Sequence, residues 1–218
     1  MCDFYSCILD RKGKLYDDPT KTDSHEDLIE KFNLKDNKLK NRDIVRIEVN
    51  PDWDALKKKF NKKDWTYKVD EPSTIPDWYM KNEKKMEGIV WKRIQELYKT
   101  LFLFGGEYDE LPFDLMILVK DARIKEMKNQ KVLRMGGSSQ VLRMRDSSQV
   151  GEMWGSSQVG EMWDSSQVRW MGGSSQVLRM RDSSLATTWS NNTKIKQEGK
   201  NTVVVDRSGD TVKVKIGK

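Results

Sequence analysis

The stretch Lys131–Trp189, KVLRMGGSSQVLRMRDSSQVGEMWGSSQVGEMWDSSQVRWMGGSSQVLRMRDSSLATTW, repeats itself every nine residues. Each unit has the form Ser-Ser-Gln-Val-x-x-Met, with a methionine three positions after every repeated valine. The valines are Val132, Val141, Val150, Val159, Val168 and Val177, and the methionines are Met135, Met144, Met153, Met162, Met171 and Met180. The register then decays, with Ala186 and Trp189 in place of valine and methionine, while Ile195 and Val204 keep the count. A period this regular predicts a repeat fold.

A nine-residue unit is too short for a helical repeat, which needs on the order of 30 residues for a helix pair. Short Val-x-x-Met segments separated by turn residues instead favour a strand and a corner, stacked on copies of themselves as a β-solenoid. The position five after each valine alternates between glycine and aspartate, as in Gly137, Asp146, Gly155 and Asp164. We therefore predict a coil of two nonapeptides and about three such coils. The second serine of each pair, such as Ser139, should point inward with the valine and the methionine.

Such a coil stacks residues that lie two nonapeptides apart, at about 4.8 Å from one another. Two outward columns are expected from this spacing: Arg143, Glu161 and Arg179, and Arg145, Trp163 and Arg181. The second column places a tryptophan between two guanidinium groups. A one-nonapeptide coil would instead set Glu152 directly against Glu161, and this like-charge contact favours the longer coil.

Residues 1–115 have a different character and predict an α+β head. The expected strands are Phe4–Leu9, Leu15-Tyr16, Ile44–Val49, Trp65–Val69 and, feeding the solenoid, Leu115–Val119. A capping-box-like sequence starts a helix at Ser24, and a helical stripe of apolar residues runs from Met80 to Leu101. We expect Gly105-Gly106 to end that second helix.

These parts combine into one fold prediction: an α+β N-terminal head, a parallel β-solenoid of about three 18-residue coils, and a C-terminal β-hairpin cap. The domain bounds are residues 1–115 for the head, 116–205 for the solenoid and 206–218 for the cap. Thr202–Asp206 and Thr211–Ile216 are the expected hairpin strands. We expect the head to cover the open edge of the first coil.

Composition limits the function classes. The chain has 218 residues and a formal net charge of +6, and no apolar run approaches the ~18 residues of a membrane span. Its first four residues have neither the basic nor the apolar part of a signal peptide. The two cysteines, Cys2 and Cys7, should point to opposite faces of one strand and so remain unpaired. We expect a reduced, cytoplasmic protein with no membrane partner.

Few residues suit catalysis. His25 is the only histidine, which excludes a histidine pair or a His-rich zinc site, and its place at a helix start favours a structural role. Nucleotide-binding glycine motifs are absent, so we predict no cofactor and no metal. One enzymatic alternative remains: removal of Met1 would expose Cys2 as an N-terminal nucleophile with its own amine as base. This opening is similar to that of class II glutamine amidotransferases, but Asp3 stands where those proteins have glycine.

A basic and aromatic cluster in the head offers a second alternative, binding of nucleic acid. Its members are Lys57, Lys58, Lys59, Lys62, Lys63 and Trp65. Lysines follow phosphates and aromatic rings stack on bases, so this composition suits a single strand. A solvated surface explains the same lysines without any ligand.

Five outward side chains of the solenoid predict a surface for binding another protein: Arg145, Trp154, Trp163, Trp170 and Arg181. Tryptophan and arginine are the residue types enriched in interface hot spots. Two other readings stay open, a ladder that only stiffens the stack and self-association, as in a homodimer, through an incompletely capped end.

The nonapeptide resembles that of polar β-solenoid proteins found in phage and prophage genomes, which carry Asn-Ala-Gln-Val where this chain has Ser138–Val141 and its copies. That class also has a Cys-x-Phe-like opening and a Val-Asp…Pro-Asp-Trp segment, matched by Cys2–Phe4, Val69-Asp70 and Pro76–Trp78. The resemblance implies a phage or mobile-element origin and brings no activity with it. It makes a bacterial or phage protein the expected partner, with interference in a bacterial defence system as the expected context.

Overall fold

A computed structural model describes residues 5–36, 42–70 and 75–217. The chain forms two compact units, Met1–Leu97 and Tyr98–Lys218, and each is described by itself. Within the described residues, no helix is long and apolar enough to cross a membrane.

The N-terminal unit is built on a four-stranded antiparallel sheet with the strand order β2-β1-β3-β4. Its elements are β1 (Tyr5–Asp10), β2 (Leu15–Tyr16), α1 (His25–Lys31), β3 (Ile44–Pro51), a 3-10 turn (Lys62–Asp64), β4 (Trp65–Val69), α2 (Asp77–Met80) and α3 (Glu83–Leu101), which continues into the second unit. The strands and first helix expected in this unit are present, while Phe4, the predicted start of the first strand, lies outside the described residues. Ser24 caps α1 by accepting a hydrogen bond from the Asp27 N–H.

The second unit is a parallel β-solenoid of about six turns over residues 102–206, followed by antiparallel C-terminal strands. The six-stranded sheet contains β6 (Glu107–Tyr108), β8 (Arg123–Lys128), β10 (Gln140–Arg145), β12 (Gln158–Met162), β14 (Gln176–Met180) and β16 (Lys194–Gln197). The eight-stranded sheet contains β5 (Phe102–Phe104), β7 (Leu115–Lys120), β9 (Lys131–Gly136), β11 (Gln149–Met153), β13 (Gln167–Met171), β15 (Leu185–Thr188), β17 (Val203–Asp206) and β18 (Lys213–Ile216). The predicted fold class is therefore confirmed.

The register follows the eighteen-residue coil. Val141 pairs with Val159, and Met144 pairs with Met162, so identical side chains lie above one another. Every repeated valine and methionine is at most 1% exposed, and together they form one continuous core. The hairpin of β17 and β18 is also present, with Val203 opposite Ile216.

The solenoid begins earlier than the repeat alone indicates, because β5 and β6 already pair in parallel with β7 and β8. This adds turns to the three that the exact repeats predict. The prediction that Gly105-Gly106 ends a helix was wrong: α3 ends at Leu101, and both glycines have positive φ in the corner between β5 and β6. Glycine tolerates that left-handed backbone without steric cost.

A column of serines completes the solenoid interior, as predicted. Ser139, Ser148, Ser157, Ser166, Ser175 and Ser184 are all fully buried. The Ser148 hydroxyl lies 2.9 and 2.7 Å from the carbonyl oxygens of Met127 and Arg145, and its single hydrogen is shared between these two acceptors. Within the described residues, the hydroxyls of Ser157, Ser166, Ser175 and Ser184 have no hydrogen-bond partner. The same residue type is therefore satisfied in the first coils and unsatisfied in the later ones.

Candidate binding surfaces of the solenoid

Each coil turns twice, at two opposite edges that we name after their left-handed residues. The glycine corner contains Gly137, Gly155 and Gly173, with φ between 60° and 65°. The aspartate corner contains Asp146, Asp164 and Asp182, with φ of 55° to 56°. Glycine and aspartate are residue types that adopt this conformation readily, so their alternation in the sequence encodes the two corners.

The glycine corner leaves no room for a side chain. A Cβ atom on Gly155 would lie 2.8 Å from the carbonyl oxygen of Gly137, one coil away. A Cβ atom on Gly173 would meet Gly155 in the same way, at 2.9 Å. The backbone is hydrogen-bonded here, since the Ser156 N–H donates to the Gly137 oxygen at 2.9 Å, and it cannot yield as a flexible side chain would.

At the aspartate corner, the left-handed residues bond to one another. The Asp146 N–H donates to the carboxylate of Asp164 at 3.1 Å, and the Asp164 N–H donates to the carboxylate of Asp182 at 3.3 Å. Asn129 continues this ladder, because its side-chain amide donates to Asp146 at 3.3 Å. The carboxylates thus satisfy backbone donors that the corner would otherwise expose.

The expected column of Arg145, Trp163 and Arg181 lies at the aspartate corner. The two guanidinium carbons lie 5.6 and 4.7 Å from the centroid of the Trp163 ring, within the range of cation–π contacts. The indole N–H of Trp163 donates to Glu161 at 3.1 Å, and Glu161 accepts from Arg179 at 2.8 Å. The tryptophan is therefore held on both faces and at its polar atom.

Ion pairs extend this network along the six-stranded sheet. Glu126 lies 3.6 Å from Arg143 and 3.2 Å from Arg145, while Arg179 also pairs with Glu198 at 2.8 Å. The column of alternating charge predicted from the sequence is thus present. The charged side chains of this column have their ion-pair partners within the solenoid, so their charges are largely neutralised there.

At the glycine corner, tryptophans face solvent. Trp154 is 43% exposed and Trp189 is 46% exposed. The ring of Trp170 packs on Trp154 with centroids 3.8 Å apart and lies over Gly172, where a Cβ atom would be 2.2 Å from it. Arg207 lies over the Trp189 ring at 5.2 Å. We call Trp154, Trp170, Trp189 and Arg207 the aromatic corner.

The structure thus divides the five predicted binding residues between two edges. Arg145, Trp163 and Arg181 form the closed column, and Trp154 and Trp170 belong to the aromatic corner.

Sequence reasoning missed Trp189, because it assigned that residue to the inward methionine position. The register shifts within β13 and β15, so that Thr188 pairs with Met171 and is 7% exposed, while Trp189 turns outward. A similar shift places Gln197 opposite Met180 in β16. The nine-residue count is kept through Ile195 and Val204, so the spacing gave no warning of these shifts; the available signal was the absence of methionine at positions 189 and 198.

The outer face of the eight-stranded sheet becomes apolar toward its C-terminal end. Val203 and Val205 flank the inward Val204, and they pair with Ile216 and Val214 on β18. Directly opposed residues project to the same side of an antiparallel pair, so these four side chains share the outer face. Val214 and Ile216 are 58% and 64% exposed.

The basic cluster of the N-terminal unit is only partly as expected. Lys57, Lys58, Lys59, Lys62 and Lys63 are all exposed. Trp65 is 8% exposed and packs against Phe60 with ring centroids 5.8 Å apart, so it is a core residue and presents no face on which a base could stack. The lysines offer phosphate contacts without the aromatic platform.

Among the described residues, one cluster of side chains has the composition of a metal site. His25, Glu48 and Asp70 place one ligand atom each within 4.8 Å of one another. Lys68 already lies among them, 2.9 Å from Asp70 and 3.8 Å from Glu48, and its hydrogen bond is the main cause that lowers the pKa of Asp70. The buried His25 ring bonds the Ile47 oxygen at 3.1 Å, which supports its structural role.

The enzymatic alternative depends on Cys2, which lies outside the described residues. Cys7 is buried in β1.

Comparisons with protein-family models, with curated proteins and with solved structures found no match to this chain.

Proposed function

We propose that this chain is a non-catalytic protein-binding module and that the aromatic corner is its contact surface. The observation that carries the proposal is the exposure of Trp154 and Trp189, at 43% and 46%, in a solenoid whose other corner tryptophan, Trp163, is stacked between two arginines. Buried tryptophan and arginine contacts supply most of the binding energy in many protein interfaces. Because Trp154 packs on Trp170 and Trp189 lies under Arg207, these rings are already ordered and lose less side-chain entropy on binding.

We further propose a bacterial or phage protein as the partner. This part rests on the resemblance of the nonapeptide to the phage and prophage solenoid class. Inhibition of a bacterial defence system by direct binding is the corresponding cellular role, with the chain acting in the bacterial cytoplasm.

The proposal is tested by affinity capture from bacterial lysate with the tagged full chain. The variant Trp154→Ala/Trp189→Ala should lose the captured partner, because it removes the two exposed rings. The control, Trp163→Ala/Arg145→Ala, removes a tryptophan and the arginine stacked on it at the aspartate corner and should keep the partner. Circular dichroism must show that both variants are folded. An identical partner list for wild type and the first variant would refute the aromatic corner as the contact surface.

A second candidate function is nucleic-acid binding through the exposed lysines Lys57, Lys58, Lys59, Lys62 and Lys63. Binding of this kind depends on phosphate contacts and weakens steeply with salt. Fluorescently labelled oligonucleotides should then bind the wild-type chain at low salt, and the variant Lys58→Glu/Lys59→Glu should bind them more weakly. No binding at low salt would eliminate this candidate.

The third candidate, an enzyme that uses Cys2 as nucleophile, requires removal of Met1. The intact mass of the purified chain decides it, since a retained Met1 leaves no free cysteine amine to act as base.

A further inference from the structure

We propose that the free edge of β18 binds an extended segment of another protein, in which apolar and acidic side chains alternate. This contact is separate from the aromatic corner and goes beyond the function proposed above. It adds a strand to the eight-stranded sheet, a recognised mode of peptide binding in which main-chain hydrogen bonds supply affinity and side chains supply specificity.

The backbone of β18 is available for such pairing. β18 is an edge strand of the eight-stranded sheet, and among the described strands it pairs with β17 alone. Its four residues are all exposed. The Gly217 N–H donates to the Thr202 oxygen at 2.9 Å, which makes these two residues a hydrogen-bonded pair. Because bonded and non-bonded pairs alternate along an antiparallel ladder, the backbone groups of Val214 and Ile216 point to the free edge.

The side chains of β18 set the chemistry of the incoming strand. Val214 and Ile216, exposed by 58% and 64%, extend the apolar outer face formed with Val203 and Val205. Lys213 and Lys215 project to the opposite side of the strand. A strand with apolar residues on one side and carboxylates on the other therefore complements both sides of β18.

Lys213 has an acidic residue opposite it on β17, whereas Lys215 does not, so an incoming carboxylate should pair preferentially with Lys215. Asp206 stands opposite Lys213, although its carboxylate already accepts from the Ser208 hydroxyl and N–H, at 2.6 and 3.0 Å. The uncharged Val204 stands opposite Lys215.

A second copy of this chain is a poor occupant of the same edge. Two β18 strands pairing in antiparallel would bring four lysines together, and like charges on paired strands are destabilising. Lysines on an edge strand are a common device against such self-pairing. A head-to-tail stack of two copies is also unfavourable, because the two sheets of the solenoid do not end together. The eight-stranded sheet continues past β15 to β17 and β18, whereas the six-stranded sheet ends at β16.

The test uses the 15N-labelled full chain and two nine-residue peptides, Thr-Glu-Val-Glu-Val-Glu-Val-Glu-Thr and its counterpart with lysine in place of glutamate. At low salt, about 50 mM, the acidic peptide should shift the amide resonances of residues 213–217 and bind at least about tenfold more tightly than the basic one. No shift at millimolar peptide, or equal binding of the two peptides, would overturn the proposal.

Two variants sharpen the test. Lys213→Glu/Lys215→Glu changes only exposed side chains and should reverse the preference between the peptides. Val214→Pro removes one N–H from the free edge without removing a bond to β17, since proline is tolerated on edge strands, and should abolish binding. The variant Trp154→Ala/Trp189→Ala should bind the acidic peptide as the wild type does, so failure here and failure of the aromatic corner remain distinguishable.

Discussion

The two corners of the solenoid both reverse the chain direction, but they do so with different residues, and this difference decides which corner is open to a partner. Both turn the chain through a left-handed residue in every coil. The aspartate corner supplies side chains that bond along the stack, from the ladder of Asp146, Asp164 and Asp182 to the column around Trp163. The glycine corner has no such side chains at the turn, and its tryptophans lie on the surface.

This contrast shows that residue type alone does not identify a binding surface in a repeat protein. Trp154 and Trp163 occupy the same place in successive nonapeptides, Gly-Glu-Met-Trp, and their identities are equivalent in the sequence. What differs is the column in which each one stands. Trp163 has arginine above and below, whereas the column of Trp154 has Gly136 and Gly172 in those places.

The largest expected effect comes from adding a methyl group to the glycine corner. Gly155→Ala should lower the free energy of unfolding by about 2–4 kcal/mol, because it combines a left-handed alanine with a contact to a fixed carbonyl oxygen. Urea unfolding followed by circular dichroism measures the change. Gly209→Ala is the matched control: a Cβ atom there meets nothing within 4 Å and φ is not positive, so stability should change by no more than about 0.5 kcal/mol. Equal effects at both positions would contradict the steric account.

The second prediction compares the two corner tryptophans. Trp163→Ala removes two cation–π contacts and the bond to Glu161, and should destabilise the chain by about 1–3 kcal/mol. Trp189→Ala removes a half-exposed ring with one arginine contact and should cost less than about 1 kcal/mol. The midpoints of urea unfolding rank the two. A larger loss of stability for Trp189→Ala than for Trp163→Ala would contradict the conclusion that the aspartate corner is closed and the aromatic corner open.

A smaller effect is expected inside the aspartate corner, where two buried serines differ only in their bonding. Ser148→Ala removes the hydrogen bond that the hydroxyl donates to the Met127 and Arg145 carbonyls and should lower stability by about 1 kcal/mol. Ser166→Ala removes a buried hydroxyl without a partner and should leave stability unchanged or raise it. Chemical denaturation of the pair provides the check, each variant serving as the control for the other. A cost at Ser166 equal to that at Ser148 would show that both hydroxyls are bonded in solution.

The smallest effect concerns the charge ladder that ends at Glu198. The hydrogen bond from Lys196, with the charge of Arg179, holds the pKa of Glu198 below its ordinary value. A carboxyl with a lowered pKa in the folded chain stabilises it above the ordinary pKa, and this contribution disappears as the pH falls through the lowered value. Stability should therefore decline as the pH falls below the ordinary value of 4.5 and through the lowered pKa, and Glu198→Gln should make that decline slightly shallower. Denaturant midpoints across this range test it, and an unchanged slope in the variant would exclude a role for Glu198.

Much of the solenoid could be predicted because its repeat is exact. The spacing of Val141 and Val159 fixes the register, and with it the contacts of Trp163 with Arg145 and Arg181. The first turns could not be predicted in this way. Phe102–Phe104 and Glu107–Tyr108 do not match the valine and methionine pattern, and they pair because the next coil offers them an edge.

The aromatic corner was only partly predictable for a related reason. Trp189 follows a register shift of one residue, and the exposed pair of Val214 and Ile216 depends on how β18 returns along β17. In the N-terminal unit, the alternation of Trp65, Tyr67 and Val69 with the polar Thr66 and Lys68 already indicates that Trp65 faces the core. The prediction of a ring exposed for base stacking gave more weight to the neighbouring lysines than to this pattern.

The exactness of the repeat also makes the number of coils a variable. Residues 155–172 begin at one glycine of the corner and end just before the next, Gly173, so their excision joins Trp154 to an equivalent turn. The strands on either side of the cut present the same valine and methionine edges to each other. Loss or gain of one such eighteen-residue unit therefore shortens or lengthens the solenoid by a whole turn and leaves the edge of β18 in place, whereas this particular excision also removes Trp163 and Trp170.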